Sequence, residues 1–155
     1  MDDKIEIMFN SCHGGFGFSD AAMNAYRQMK ELEDAEPVSR HDPLMVHIVK
    51  DMGFEANGRH SFICIRSIPA KFENYYEIIE YDGMESVHIR YSEYKVDAAK
   101  AILKDAQLSE AERVERAGAI LEMEYIERAD TILELSPEKY ALTMAKYAAC
   151  SQDGL

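Results

Sequence analysis

Ile5-Glu6-Ile7-Met8-Phe9-Asn10-Ser11-Cys12-His13-Gly14-Gly15-Phe16-Gly17-Phe18-Ser19-Asp20 reads as a strand, a glycine-rich turn and the start of a helix. Ile5 to Ile7 alternate, and Met8-Phe9 then turn apolar, as a strand does on entering a core. Three glycines fall within the four residues Gly14 to Gly17. Ser19 or Asp20 supplies a side-chain oxygen to cap a helix opening at Ala21-Ala22-Met23 and running to about Glu33.

Outward from this unit, Glu31 to Pro37 is acidic and reads as a loop. In Arg40-His41-Asp42-Pro43, Asp42 reads as a cap and Pro43 as a first-turn proline. The helix that follows spans Leu44 to Met52 and stops at Gly53. Asn57-Gly58 reads as a turn. Ser61 to Ile68 is a second strand, stopped by Pro69. Asp82-Gly83 separates two alternating β-prone runs, Tyr75–Tyr81 and Glu85–Tyr91, which is a strong hairpin signal. A two-residue loop there pairs Tyr81 with Met84, Ile78 with Val87 and Tyr76 with Ile89 on a core-facing side, and Glu77 with His88 on the other. After Ser92 the pattern turns helical, with Ala98, Ala99, Ile102 and Leu103 at helical spacing. Ser109-Glu110-Ala111-Glu112 is a capping box opening a helix that carries Val114, Ala117, Ile120, Leu121, Tyr125 and Ile126 near one face. Ser136-Pro137 starts a last helix reaching about Ala149.

These elements predict an α+β fold with a small mixed sheet, in one domain of 155 residues. Residues 4–91 form its α/β part, built on the strand–glycine loop–helix unit and closed by a β-hairpin. Residues 92–155 form a helical extension, packed on the sheet or used for homodimerisation through Tyr125, Ile126 and Leu133. The net charge of -12 disfavours binding to nucleic acid, whose phosphates reward clustered Lys and Arg. No apolar run approaches the roughly 18 residues of a membrane span. The first residues lack the pattern of a signal peptide, and Cys12, Cys64 and Cys150 are too few and too scattered for a disulfide framework. A cytoplasmic protein with reduced thiols is expected. The segment from Val38 to Arg66 departs from the acidic average: it holds Arg40, Lys50, Arg59 and Arg66 with His41, His47 and His60.

A strand, glycine-rich turn and helix N-terminus together offer backbone N–H groups and a positive dipole end to an anion. The same residues also serve as a tight turn in which Phe16 and Phe18 plug the core. The phosphate-loop pattern of NTPases is excluded, since no Lys follows the glycines, and in G-x-G-x-x-G the third position is Asp20. Cys12-His13 suggests an activated thiol, but Phe18 stands where the cysteine-phosphatase pattern needs Arg; a structural Cys is the alternative. No metal-binding motif, cofactor motif or G-x-S-x-G elbow occurs. The candidate ligand-binding set is therefore Cys12, His13, Gly14, Gly15, Phe16 and Gly17 with Arg40, His41 and Asp42. Arg40 would clamp the anion, so Arg40→Ala should weaken binding about tenfold or more and leave the fold intact.

The segments Asn10–Ser19, Arg40-His41-Asp42-Pro43-Leu44, Asn57-Gly58 and Glu80-Tyr81-Asp82-Gly83-Met84-Glu85 resemble a family of small uncharacterised proteins of tailed phages and large DNA viruses. The resemblance covers about Lys4 to Tyr91, and the helices beyond Ser92 extend past it. It implies a viral origin, hence the host cytoplasm, and carries no established activity. In type alone, such a chain is similar to viral proteins that sequester nucleotide immune signals. The reading is a non-catalytic binder of a small anionic ligand, a nucleotide-derived host signal being one such ligand. The alternatives are a small enzyme acting on a nucleotide or phosphoester, with His13, His41 or Asp42 as acid–base groups, and an acidic module that binds a host protein.

Overall fold

The computed structural model describes residues 3–31, 37–124 and 131–132. Strand β1 (Lys4–Asn10) is followed by helices α1 (Asp20–Lys30) and α2 (Pro43–Met52), then by strand β2 (Ile63–Pro69). The hairpin strands β3 (Tyr76–Tyr81) and β4 (Met84–Ile89), helices α3 (Tyr91–Leu103) and α4 (Glu110–Glu122), and the short β5 (Thr131–Ile132) complete the order.

Local chemistry accounts for the boundaries. Ser19 Oγ accepts from the Ala22 N–H, which starts α1 one residue earlier than expected. Glu31 takes a left-handed conformation, φ 54°, and ends α1 before the expected Glu33. Asp42 caps α2 by accepting from the Leu44 and Met45 N–H groups, with Pro43 in the first turn and Gly53, φ 58°, at the end. In α4 both bonds of the Ser109–Glu112 capping box form.

The α+β class holds, but the strands form two antiparallel sheets rather than one mixed sheet. β1 pairs with β2, and β2 with β5; β3 pairs with β4. The hairpin has the register set by Asp82-Gly83: Tyr81 with Met84, Ile78 with Val87 and Tyr76 with Ile89. Positive φ at Asp82 (49°) and Gly83 (85°) makes the tight, right-twisted turn that such a pair favours. Asn57-Gly58, in contrast, is not a turn centre. Asn57 is extended, bridges Phe18, and uses its Oδ1 to accept from the Ile63 N–H; the turn lies two residues on, at Arg59-His60, closed by the Ser61 N–H on the Gly58 carbonyl.

Alternation along β1 divides the interior in two. Met8, with Ile63 and Ile65 of β2, packs under α1 and α2 against Ala22, Tyr26, Met45 and Val49. Ile7, with Ile68, packs on the other side against Phe72 and the hairpin's Val87, where Ile78 and Tyr76 also lie. The β1–β2 sheet is thus a middle layer between two helices and the hairpin. Helix α3 joins the second side through Tyr91 and Tyr94, whose rings meet Phe72 edge-on at 5.3 and 4.9 Å. Of the apolar stripe expected on α4, Ala117 is buried while Val114 and Leu121 are exposed. Tyr125, Ile126, Leu133, the helix from Ser136 to Ala149, Cys150 and most of the Glu31–Pro37 loop lie outside the described residues. No helix among the described residues is long and apolar enough to cross a membrane.

Candidate functional site

Among the described residues β1 is an edge strand, and its outer edge builds the site. The Ser11 N–H bonds the Phe62 carbonyl, so odd-numbered N–H groups face β2 and even-numbered ones face away. The Met8 N–H is taken by the Arg40 carbonyl at 2.7 Å, which fastens the Arg40 turn beside the strand. The Asn10 N–H is taken by Glu85 Oε1 of β4 at 2.8 Å. Arg40 reaches round the edge from the helix side to the hairpin side. Its Nη1 and Nη2 donate to Glu85 Oε1 and Oε2 at 2.7 and 2.9 Å, and Nη1 also approaches the Met8 carbonyl at 3.3 Å. The guanidinium plane lies over the Phe16 ring, 3.4 Å from its centroid, which holds it for bidentate bonding. The Glu85 side chain is 8% exposed.

The glycine loop and the Arg40 turn are therefore neighbours, as the sequence reading required. The arrangement differs in one decisive respect. The guanidinium expected to await a ligand is bound to a carboxylate of the same chain, delivered by the hairpin tip. Sequence spacing gave no sign of this partner, 45 residues away.

Asn10, also missed as a site residue, ties the same region together. It is fully buried; its Nδ2 donates to the carbonyls of Cys12 (2.6 Å) and Gly83 (2.8 Å), and its Oδ1 accepts from the Phe62 N–H (2.7 Å). The hairpin turn sits directly on the loop: a Cβ on Gly83 would fall 2.2 Å from the His13 carbonyl oxygen. His13 Nδ1 lies 3.0 Å from the Asp82 carbonyl, so this imidazole touches the turn while its side chain stays 42% exposed. Gly14 is packed so tightly on the His60 carbonyl that a Cβ would lie 1.8 Å from its oxygen, while Gly15, φ 89°, has open space around it. Gly17 gives its carbonyl to the Gly58 N–H and the Ser61 hydroxyl.

Cys12 is buried, with its thiol 3.2 Å from the His60 carbonyl, and α1 begins eight residues on, at Asp20. Burial pushes the neighbouring Cys64 thiol up, with a partly offsetting bond to Ser11. Asp42 is spent on its own helix and on α1: besides the two cap bonds it accepts from the Tyr26 hydroxyl (2.7 Å) and Lys30 (3.3 Å). The α2 N-terminus thus binds this carboxylate in place of an external anion.

Burial alone would raise the Asp42 pKa; the Tyr26 hydroxyl, the Met45 N–H and Lys30 outweigh it and hold the carboxyl below its ordinary value of 3.8. A depressed folded value means stability that is present above that pH and is lost as pH falls through the folded value. Below about pH 4, the thermal midpoint of the Asp42→Asn variant should therefore fall less steeply with acid than that of the parent chain. Parallel acid profiles for the two proteins would count against this role.

His41 has a separate setting. Its Nδ1 lies 2.6 Å from the Tyr76 hydroxyl and its Nε2 3.1 Å from Glu73 Oε1. Burial pushes the Tyr76 phenol up, only partly offset by Arg40, so the hydroxyl keeps its proton. This hydroxyl and Nδ1 share a hydrogen bond, and Nε2 faces the Glu73 carboxylate. Among the described residues, no group of three or more His, Cys, Asp or Glu is placed to hold a metal ion. No protein-family model, curated protein or solved structure matches the chain, and the functional reading rests on its own residues.

Proposed function

We propose that the chain binds a small anionic ligand without turning it over, at the junction of the glycine loop, the Arg40 turn and the hairpin tip. One observation carries the reading: Arg40 and the Asn10 N–H form a preorganised anion cradle, and the chain closes it with its own Glu85. Two parallel guanidinium donors plus a backbone N–H suit a carboxylate or a phosphate equally. A ligand enters by displacing Glu85 as the hairpin tip lifts, so a phosphate group with more charge and more acceptor oxygens competes best. A nucleotide-derived signal, sequestered intact by a viral protein in the host cytoplasm, fits this chemistry.

The test is to remove the internal competitor. Glu85→Ala protein should bind acetate, inorganic phosphate or AMP at least about tenfold more tightly than the parent chain, read by calorimetry. Mass spectrometry of what the denatured complex releases should return AMP unchanged. A folded Glu85→Ala variant that binds none of the three ends the proposal.

A second reading, phosphoester or ester hydrolysis, is favoured by the imidazole of His41 held between a hydroxyl and a carboxylate. In it, Glu73 orients the ring and Nδ1 accepts the proton of Tyr76 or of a substrate hydroxyl. Turnover of a chromogenic phosphoester, lost in His41→Ala, would favour this reading over sequestration.

A further inference from the structure

We propose that the open edge of β1 at Lys4–Glu6 pairs with the same edge of a second copy, joining two β1–β2 sheets across a two-fold axis. Farther along the strand the outer edge is closed, at Met8 by the Arg40 carbonyl and at Asn10 by Glu85. At Lys4 and Glu6 the outward N–H and C=O groups have no such cover among the described residues. A cleft of about 150 Å³ lies there instead, lined by Lys4, Ile5, Glu6, His41, Pro43 and Val46. An uncovered strand edge is a template for another strand.

The sequence of this edge selects the occupant. Lys4-Ile5-Glu6 is its own complement when paired antiparallel about Ile5. Ile5 then faces Ile5 of the other copy as a non-hydrogen-bonded pair, since its N–H and C=O point to β2. Lys4 faces the other copy's Glu6, and Glu6 its Lys4, as two hydrogen-bonded pairs that exchange four main-chain bonds. Side chains at positions 4 and 6 lie on the helix side of the sheet, where Glu6 is already paired with Lys50 of α2. The incoming Lys4 extends along Pro43 and Val46 with its ammonium at the Glu6 carboxylate, apolar stem covered and charge paired. An unrelated strand lacks this twofold charge match, and identical strands paired about Lys4 or about Glu6 instead set like charges opposite each other.

Light scattering and sedimentation of the full chain over a range of concentrations test the idea. The parent chain should form a dimer. Lys4→Glu, which sets Glu against Glu at both ends of the pairing, should raise the dimer dissociation constant about tenfold or more. Glu6→Lys should do the same by setting Lys against Lys. The double reversal Lys4→Glu/Glu6→Lys restores opposite charges and should recover the parent constant to within about threefold. Thermal melts of each variant at a concentration where all are monomeric separate folding defects from lost association. A chain that stays monomeric at every concentration overturns the proposal and leaves the edge to an extended segment of another protein. A dimer equally tight in the parent, single and double variants also overturns it.

Discussion

Arg40→Ala should destabilise the fold by about 3–5 kcal/mol, the cost of leaving a buried carboxylate without its cation. The expectation that this change would spare the fold treated Arg40 as a free clamp, which its two bonds to Glu85 exclude. With the guanidinium gone, Glu85 keeps one N–H donor, that of Asn10, in a setting where its side chain is 8% exposed. It must then take up a proton or pull the hairpin tip out into water. The face of Phe16 loses its covering cation as well, worth about 0.5–2 kcal/mol. Replacing both partners with apolar residues of similar size, Arg40→Met with Glu85→Leu, removes the stranded charge. It leaves mainly the Asn10 N–H unsatisfied, at about 1–3 kcal/mol. The double variant should therefore be more stable than Arg40→Ala, and urea denaturation of the set measures the coupling. A single variant with an unchanged midpoint would mean that the pair contributes nothing, and the closed cradle with it.

The same pair marks where sequence reading stops. The hairpin register was legible because a two-residue Asp-Gly loop admits few geometries, and alternation then assigns every side chain to a face. The caps at Ser19, Asp42 and Ser109 were legible because their partners lie within three residues. Glu85 as the partner of Arg40 was not. The chain has 29 acidic residues, and only the packing of the hairpin on the edge of β1 singles one out. Asn10 stood in the quoted loop, yet nothing local distinguishes a buried amide that joins β1, the loop, β2 and the hairpin from one that turns a chain. Asn57-Gly58 shows tertiary bonds overriding turn chemistry: the Asn57 amide is used by Ile63, and the Gly58 N–H by the Gly17 carbonyl. The candidate set was thus found as a neighbourhood, while the role of each member depended on contacts 12 to 69 residues away along the chain. Arg40, His41 and Asp42 sit side by side in the chain but face Glu85, Tyr76 with Glu73, and Tyr26 with Lys30.

Gly83→Val should lower the thermal midpoint by roughly 5–15 °C, at about 2–4 °C for each kcal/mol in a chain of this size. Two independent costs add at this position. Gly83 has φ 85°, a conformation that costs an L-residue about 1–2 kcal/mol and a β-branched one more. Its missing Cβ also makes room for the loop: a carbon there would stand 2.2 Å from the His13 carbonyl oxygen and 3.0 Å from the Gly15 nitrogen. Both are backbone atoms, so no side chain can swing away, and relief requires the hairpin tip to move off the glycine loop, at about 1–3 kcal/mol for a forced core misfit. That motion also stretches the Asn10 bond to the Gly83 carbonyl and the Glu85 bonds to Arg40. Asp82→Val separates the two costs. Asp82 has φ 49° and an exposed side chain, so this neighbour carries the turn strain without the collision. Gly83→Val should thus melt clearly below Asp82→Val. It should also bind inorganic phosphate more tightly than the parent chain, because the tip that carries Glu85 is already displaced. Equal melting of the two variants would show that the hairpin turn does not bear on the loop. A Gly83→Val protein that melts low yet gains no phosphate binding would separate the docking of the tip, which stands, from its role as the internal competitor, which would fall.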